Sequence, residues 1–295
     1  MEKNRFIGLR KGKKRVSLIK LEYFDLHDCS IPYSITGSGQ YVFFFHGFPT
    51  SSRTWRFIVP ELSKCYTIIS MDLPGLGDSK FNKLTNLDMR EQAARLAVFI
   101  KSFACTSFSI VAHDSGGAIA RLVALHMREQ TKNLILINTE IPYHRPPWIP
   151  LYQRLTRVPY SSRVIKKLLG FKRYNESNLA FGQLYHSKRH FLNGNLDLHV
   201  SILKRSLEQV NGAIGFLQGI DWTVIDLFEH AHKNIDARVL LLWGTNDKTF
   251  PLERAKKMKS QFKDAVIYPI HESRLLPHEE QPKECVNAII QFLNK

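Results

Sequence analysis

FSIVAHDSGGAIARLVALHM, Phe108 to Met127, changes its periodicity halfway along. Phe108, Ile110, Val111 and Ala112 form an apolar run that reads as a buried strand. Ile119, Leu122, Val123 and Met127 then recur at helical spacing. Between them, His113-Asp114-Ser115-Gly116-Gly117 reads as a very tight turn. Such a turn lifts one side chain, Asp114, out of the sheet. Close packing of strand against helix favours the glycine pair, which has no Cβ. The following helix aims its free N–H groups at the turn, where they can hold a developing negative charge.

Outward from this stretch the chain alternates strands and helices. Val16–Asp25 and Ile31–Thr36 read as strands joined at His27-Asp28, and Tyr41–Phe45, apolar throughout, reads as a central one. It ends in His46-Gly47-Phe48-Pro49. Helical spacing follows over Trp55–Leu62, then a strand over Tyr66–Met71, and then Asp72-Leu73-Pro74-Gly75-Leu76-Gly77-Asp78-Ser79. Met89–Phe103 is helical in period, and Leu134–Ile137 is a strand ending in Asn138-Thr139-Glu140. Pro142, Pro146, Pro147 and Pro150 then break any helix and mark a boundary. Short amphipathic pieces follow until the sheet resumes at Arg238–Trp243, leading into Asn246-Asp247, with a last strand at Ala265–Ile270.

Three of these segments carry a resemblance. The turn at Asp114 resembles the nucleophile elbow of the α/β-hydrolase fold, G-x-S-x-G, with Ala112 at its first glycine and Asp114 where the serine stands. HGFP resembles the fold's HG-x-P loop, and DLPGLGDS resembles its D-x-x-G-x-G-x-S loop, read here as scaffold. An aspartate at the elbow is similar to the epoxide hydrolase and haloalkane dehalogenase branch. The resemblance covers residues 16 to 294. It implies a doubly wound, mostly parallel α/β sheet with an inserted helical cap: core over 16–140 and 233–295, cap over 141–232, and a basic N-terminal tail, 1–15, outside it.

The resemblance also assigns roles. Asp114 would be the nucleophile, and Phe48 and Ser115 would supply backbone N–H groups to the oxyanion hole. Asp247 would orient the histidine, with Glu140 as the alternative acid. In the epoxide hydrolase manner, cap tyrosines would protonate an opening oxygen: Tyr152 and Tyr185, with Tyr160 and Tyr174 also in the segment. The histidine pattern, G-H-x-x-x-E-x-x-P, meets Arg274 and Leu275 where glycine and histidine belong, counting back from Pro282. His278, three residues later and about one helical turn away, is the expected base, with His271 the other candidate. Dehalogenases place Trp after the nucleophile and often Asn after HG. Here those positions hold Ser115 and Phe48, which favours an epoxide-like electrophile over an organohalide.

A carboxylate with a reference pKa of about 3.9 is ionised at neutral pH and can attack carbon unaided. Hydrolysing the resulting ester needs deprotonated water, the work of a histidine. The expected activity is therefore hydrolysis of a small organic electrophile through an aspartyl ester. The alternatives are a ligand-binding protein of the same fold with impaired catalysis, and an ester hydrolase. No metal or organic cofactor is implied, and the partner is a small-molecule substrate.

Composition bounds the rest. The chain of 295 residues carries a formal charge of +16, and residues 1 to 20 hold eight Lys or Arg against Glu2 alone. That basic terminus can make weak contact with an anionic surface. No recognition motif or aromatic stacking platform accompanies the charge, which argues against nucleic acid. Residues 145 to 210 hold twelve Lys or Arg and three acids, so the cap is basic too. Cys29, Cys65, Cys105 and Cys285 lie far apart without metal-ligand spacing, as in a reduced, cytoplasmic protein. No apolar run spans a bilayer and no secretory signal is read.

Overall fold

The apolar runs become a sheet buried on both faces. The computed structural model describes residues 21–295. One sheet contains β1 (Glu22–Asp25), β2 (Cys29–Thr36), β3 (Gln40–Phe45), β4 (Tyr66–Met71), β5 (Lys80–Phe81), β6 (Phe108–His113), β7 (Thr131–Ile137), β8 (Arg238–Gly244) and β9 (Ala265–Ile270). The order is β1-β2-β4-β3-β6-β7-β8-β9, with β5 paired to β2. From β4 to β9 every neighbouring pair is parallel, while β2 is antiparallel to β1, β4 and β5. β3 and β6 lie at the centre, as their uninterrupted apolar runs require. The basic tail, 1–15, and the first residues of the strand expected from Val16 lie outside the described residues.

Alternate side chains feed two cores. Phe43, Phe45, Ile110, Ala112, Leu134 and Leu136 pack on one face. Val42, Phe44, Val111, Ile135 and Ile137 pack on the other. Register ties the centre together: Phe45 pairs with Ala112, and Ala112 with Leu136, so β3, β6 and β7 end at the same level. The loops leaving these ends converge, which is where an open α/β sheet binds ligands.

Seven α-helices lie between β7 and β8. The first corrects an expectation. Pro150 does not break the chain but sits in the first turn of the helix Trp148–Leu155, where its missing N–H would have had no partner. The helix Ser161–Leu168 follows, and the two ends of the inserted segment meet at Asp226. Its carboxylate accepts from the Tyr143 backbone N–H at 2.8 Å and pairs with Arg145.

Candidate active site

The elbow is a point of backbone strain. Asp114 has φ 50° and ψ −132°, a conformation that side chains other than glycine rarely adopt. It is held there from several sides. Its N–H donates to the carbonyls of Ile137 and Asn138, and its carbonyl accepts from Gly117 N at 2.7 Å and from Thr139 Oγ1 at 2.8 Å. The glycines are there for space: a Cβ on Gly116 would lie 2.2 Å from the His46 carbonyl oxygen, and one on Gly47 would lie 2.4 Å from the Asp114 Cβ.

This geometry places the Asp114 carboxylate against the HGFP loop. The Phe48 N–H donates to Asp114 Oδ2 at 2.8 Å, and the Ser115 hydroxyl donates to the same oxygen at 3.2 Å. Burial raises the carboxyl to about 6 despite these donors. Asp114, Phe48, Glu140 and Leu275 line a cavity of about 230 Å³, whose remaining walls are mostly apolar and come largely from the helices between β7 and β8.

Glu140 follows β7 and is fully buried. Its Oε2 lies 2.8 Å from Thr139 Oγ1, so one hydroxyl touches both Glu140 and the Asp114 backbone. Desolvation first, and then the Asp114 charge, push its carboxyl up to about 7. Arg121, a buried residue of the elbow helix (Ser115–His126) that gave no signal in the sequence, donates to the Glu140 carbonyl at 2.9 Å and stacks on Phe228. Asp247 is buried after β8, where it accepts from Asn138 Nδ2 at 2.6 Å and Thr249 N at 2.8 Å. Burial raises it to about 7 as well. It is not among the residues that line the cavity.

The structure does not bring His278 into that cavity. It sits in the short helix Pro277–Glu280, with Nε2 2.7 Å from Thr54 Oγ1 and its ring centroid 4.6 Å from that of Trp55 and 4.7 Å from that of His113. The Thr54 hydroxyl donates to Glu279, so it accepts from His278 and fixes the Nε2–H tautomer. Desolvation and the neighbouring His113 hold the imidazole well below its ordinary range, and it is neutral. The physical reason is register. One turn of helix past Leu275 rotates the side chain behind the site, and Leu275 itself occupies the cavity wall. His271 is exposed.

Of the cap tyrosines, Tyr152 lines the cavity, with its hydroxyl donating to the Leu179 carbonyl, and Tyr174 lines it too. Tyr185 does not: it is buried with its hydroxyl on Glu279 Oε2 at 2.8 Å. Glu279, which stands at the glutamate of the G-H-x-x-x-E-x-x-P pattern, is a hub whose contacts the sequence did not reveal. It accepts from Arg56, Thr54 and Tyr185 and pairs with His199 Nε2 at 2.9 Å, thereby joining the core to the inserted helices. Among the described residues no cluster of His, Cys, Asp and Glu could hold a metal ion.

A family model described as alpha/beta hydrolase fold matches residues 40–276. The soluble epoxide hydrolase of Corynebacterium sp. (strain C12) is 31% identical over 106 residues, 36% of this chain and 37% of that protein. The uncharacterized hydrolase YugF of Bacillus subtilis (strain 168) is 25% identical over 249 residues, 84% of this chain and 88% of that protein. The solved structure of the epoxide hydrolase CorEH, without ligand, is similar with a TM-score of 0.79 at 18% identity, over 94% of this chain and 99% of that one.

Proposed function

Since the chain belongs to the alpha/beta hydrolase fold family, we propose that it hydrolyses a small apolar electrophile, epoxide-like or organohalide, through an ester on Asp114, with Glu140 rather than a histidine activating the water. The observation that carries this reading is the Asp114 carboxylate, aimed into an apolar cavity with one oxygen on the Phe48 N–H. The free oxygen attacks carbon, a new C–O bond forms, and the epoxide C–O or carbon–halogen bond breaks. An epoxide oxygen leaves as an alkoxide and takes a proton from a cavity hydroxyl, of which Tyr152 is the candidate.

In the second step Glu140 takes a proton from water, and the hydroxide attacks the Asp114 carboxyl carbon. The carbonyl oxygen, already on the Phe48 N–H, bears the developing charge. The bond from the Asp114 carboxyl carbon to the alkyl oxygen breaks, and the product leaves with the proton that Glu140 took. One oxygen of the water stays in Asp114, and the proton of the new carboxyl returns to Tyr152 for an epoxide or goes to solvent for a halide. A carboxyl raised to about 7 is suited to a base at neutral pH.

The test uses the full chain with a panel of epoxides and organohalides, following intact-protein mass and released product. Wild type should release product and carry heavy oxygen in Asp114 after turnover in heavy-oxygen water. Asp114→Asn should form neither adduct nor product, and Glu140→Gln should accumulate the adduct. A wild type that accumulates adduct without product would show that Glu140 does not activate the water, and one that forms neither would replace this reading with a binding protein, as Leu275 on the cavity wall favours. Product from Asp114→Asn at the wild-type rate would overturn the nucleophile.

A further inference from the structure

We propose that the outer face of the cap helices docks on an anionic lipid surface. The two helices that roof the cavity, Trp148–Leu155 and Ser161–Leu168, leave some apolar side chains exposed while others line the cavity. Ile149, Tyr152, Ile165 and Leu169 face inward and line the cavity. Leu151, Leu155, Val158, Tyr160, Val164 and Phe171 face outward, and each is more than half exposed. An isolated exposed leucine is ordinary, but six large apolar side chains within 21 residues are not.

The charge on this face is one-sided. From Trp148 to Asn175 the chain has seven cations, namely Arg154, Arg157, Arg163, Lys166, Lys167, Lys172 and Arg173, and no Asp or Glu. Among the described residues, no carboxylate lies within ion-pair distance of the first five, while Lys172 reaches Glu176 at 3.6 Å. Arg163 lies over the Tyr160 ring, its guanidinium 5.1 Å from the centroid, so cations and apolar groups are interleaved. A face with leucine, valine, tyrosine and phenylalanine set among arginine and lysine matches a bilayer interface: apolar side chains enter the acyl boundary while cations meet lipid phosphates. A nucleic acid would use the cations and leave the aliphatic side chains wet. The inference stands apart from the chemistry at Asp114, since it uses only the outer side of the roof.

The full chain should co-sediment with vesicles of phosphatidylserine and phosphatidylcholine, and not with phosphatidylcholine alone. Two surface variants separate the contributions: Leu155→Ser with Val164→Ser, and Arg163→Glu with Lys167→Glu. Each pair should weaken partitioning by about tenfold or more, with an unchanged near-ultraviolet circular dichroism spectrum. Equal binding to both vesicle types, or binding that survives either pair, would overturn the proposal. So would loss with the charge pair alone together with competition by single-stranded RNA, which would mark a nucleic-acid face.

Discussion

Leu275 puts a methyl-bearing side chain where an imidazole would stand. Its backbone is already held, because the His113 ring donates to its carbonyl at 2.8 Å. A Cβ on Gly244 would lie 2.2 Å from the neighbouring Arg274 carbonyl oxygen, so the Asp247 loop and the Leu275 segment are in contact. Leu275→His should therefore place a base near the ester, and the double variant with Glu140→Gln should recover product release that Glu140→Gln alone has lost. Single-turnover decay of the adduct measures it; an adduct equally persistent in both would show that the segment cannot present an imidazole. Glu140 also makes a stability prediction. Its folded carboxyl titrates near 7, above the ordinary carboxylate range, so the folded state favours the protonated form. That contribution is full below the unfolded value and lost as pH rises through about 7. Denaturant melts should show Glu140→Gln gaining on wild type between about pH 5 and about pH 8, and an unchanged difference would mean that the group is not desolvated. The tight turn at Asp114 and Ser115 was legible because it and its flanking periodicities are local features, while Phe48 was placed only by the resemblance of HGFP to the HG-x-P loop. Whether His278 reaches the site was not, because that depends on one turn of helix and on Trp55, a residue more than 200 positions earlier.

The short helix Pro277–Glu280 is the element that couples the cap to the sheet. Glu279 meets Arg56 and Thr54 on the core side and Tyr185 and His199 on the cap side. Beside it, Glu280 accepts from the backbone N–H groups of Arg274, His186 and Ser187. Opposite charge and hydrogen bonds hold Glu279 well below the usual carboxylate range, outweighing its desolvation. Its stabilisation is present above the unfolded value and fades as pH falls through the folded one. Glu279→Ala should cost about 3–5 kcal/mol near neutral pH, since it strands a largely buried Arg56. Chemical denaturation would check this, and a loss near zero would mean that the cap does not depend on this hub. Element types were mostly legible in the sequence, since strand and helix periods are strong in the core. The Trp148–Leu155 helix was not, because a proline is read as a breaker until its position within the turn is known.

For the whole molecule, the fold followed from three loops that leave the ends of β3, β4 and β6, while the charge of +16 did not say which face carries it until exposure was assigned residue by residue. No helix among the described residues is long and apolar enough to cross a membrane. The inserted segment has one more consequence. Tyr143 and Arg145 leave the core and meet Asp226 on the way back, so more than 80 residues are clasped at one carboxylate. Such a clasp makes the insert a cassette, which recombination could exchange for another without disturbing the order of the strands. Glu279 limits that freedom: a replacement lacking a tyrosine and a histidine at the right places would leave a buried anion short of partners. Exchange in this lineage should then be tolerated only for inserts that carry both groups, or alongside loss of the acid itself.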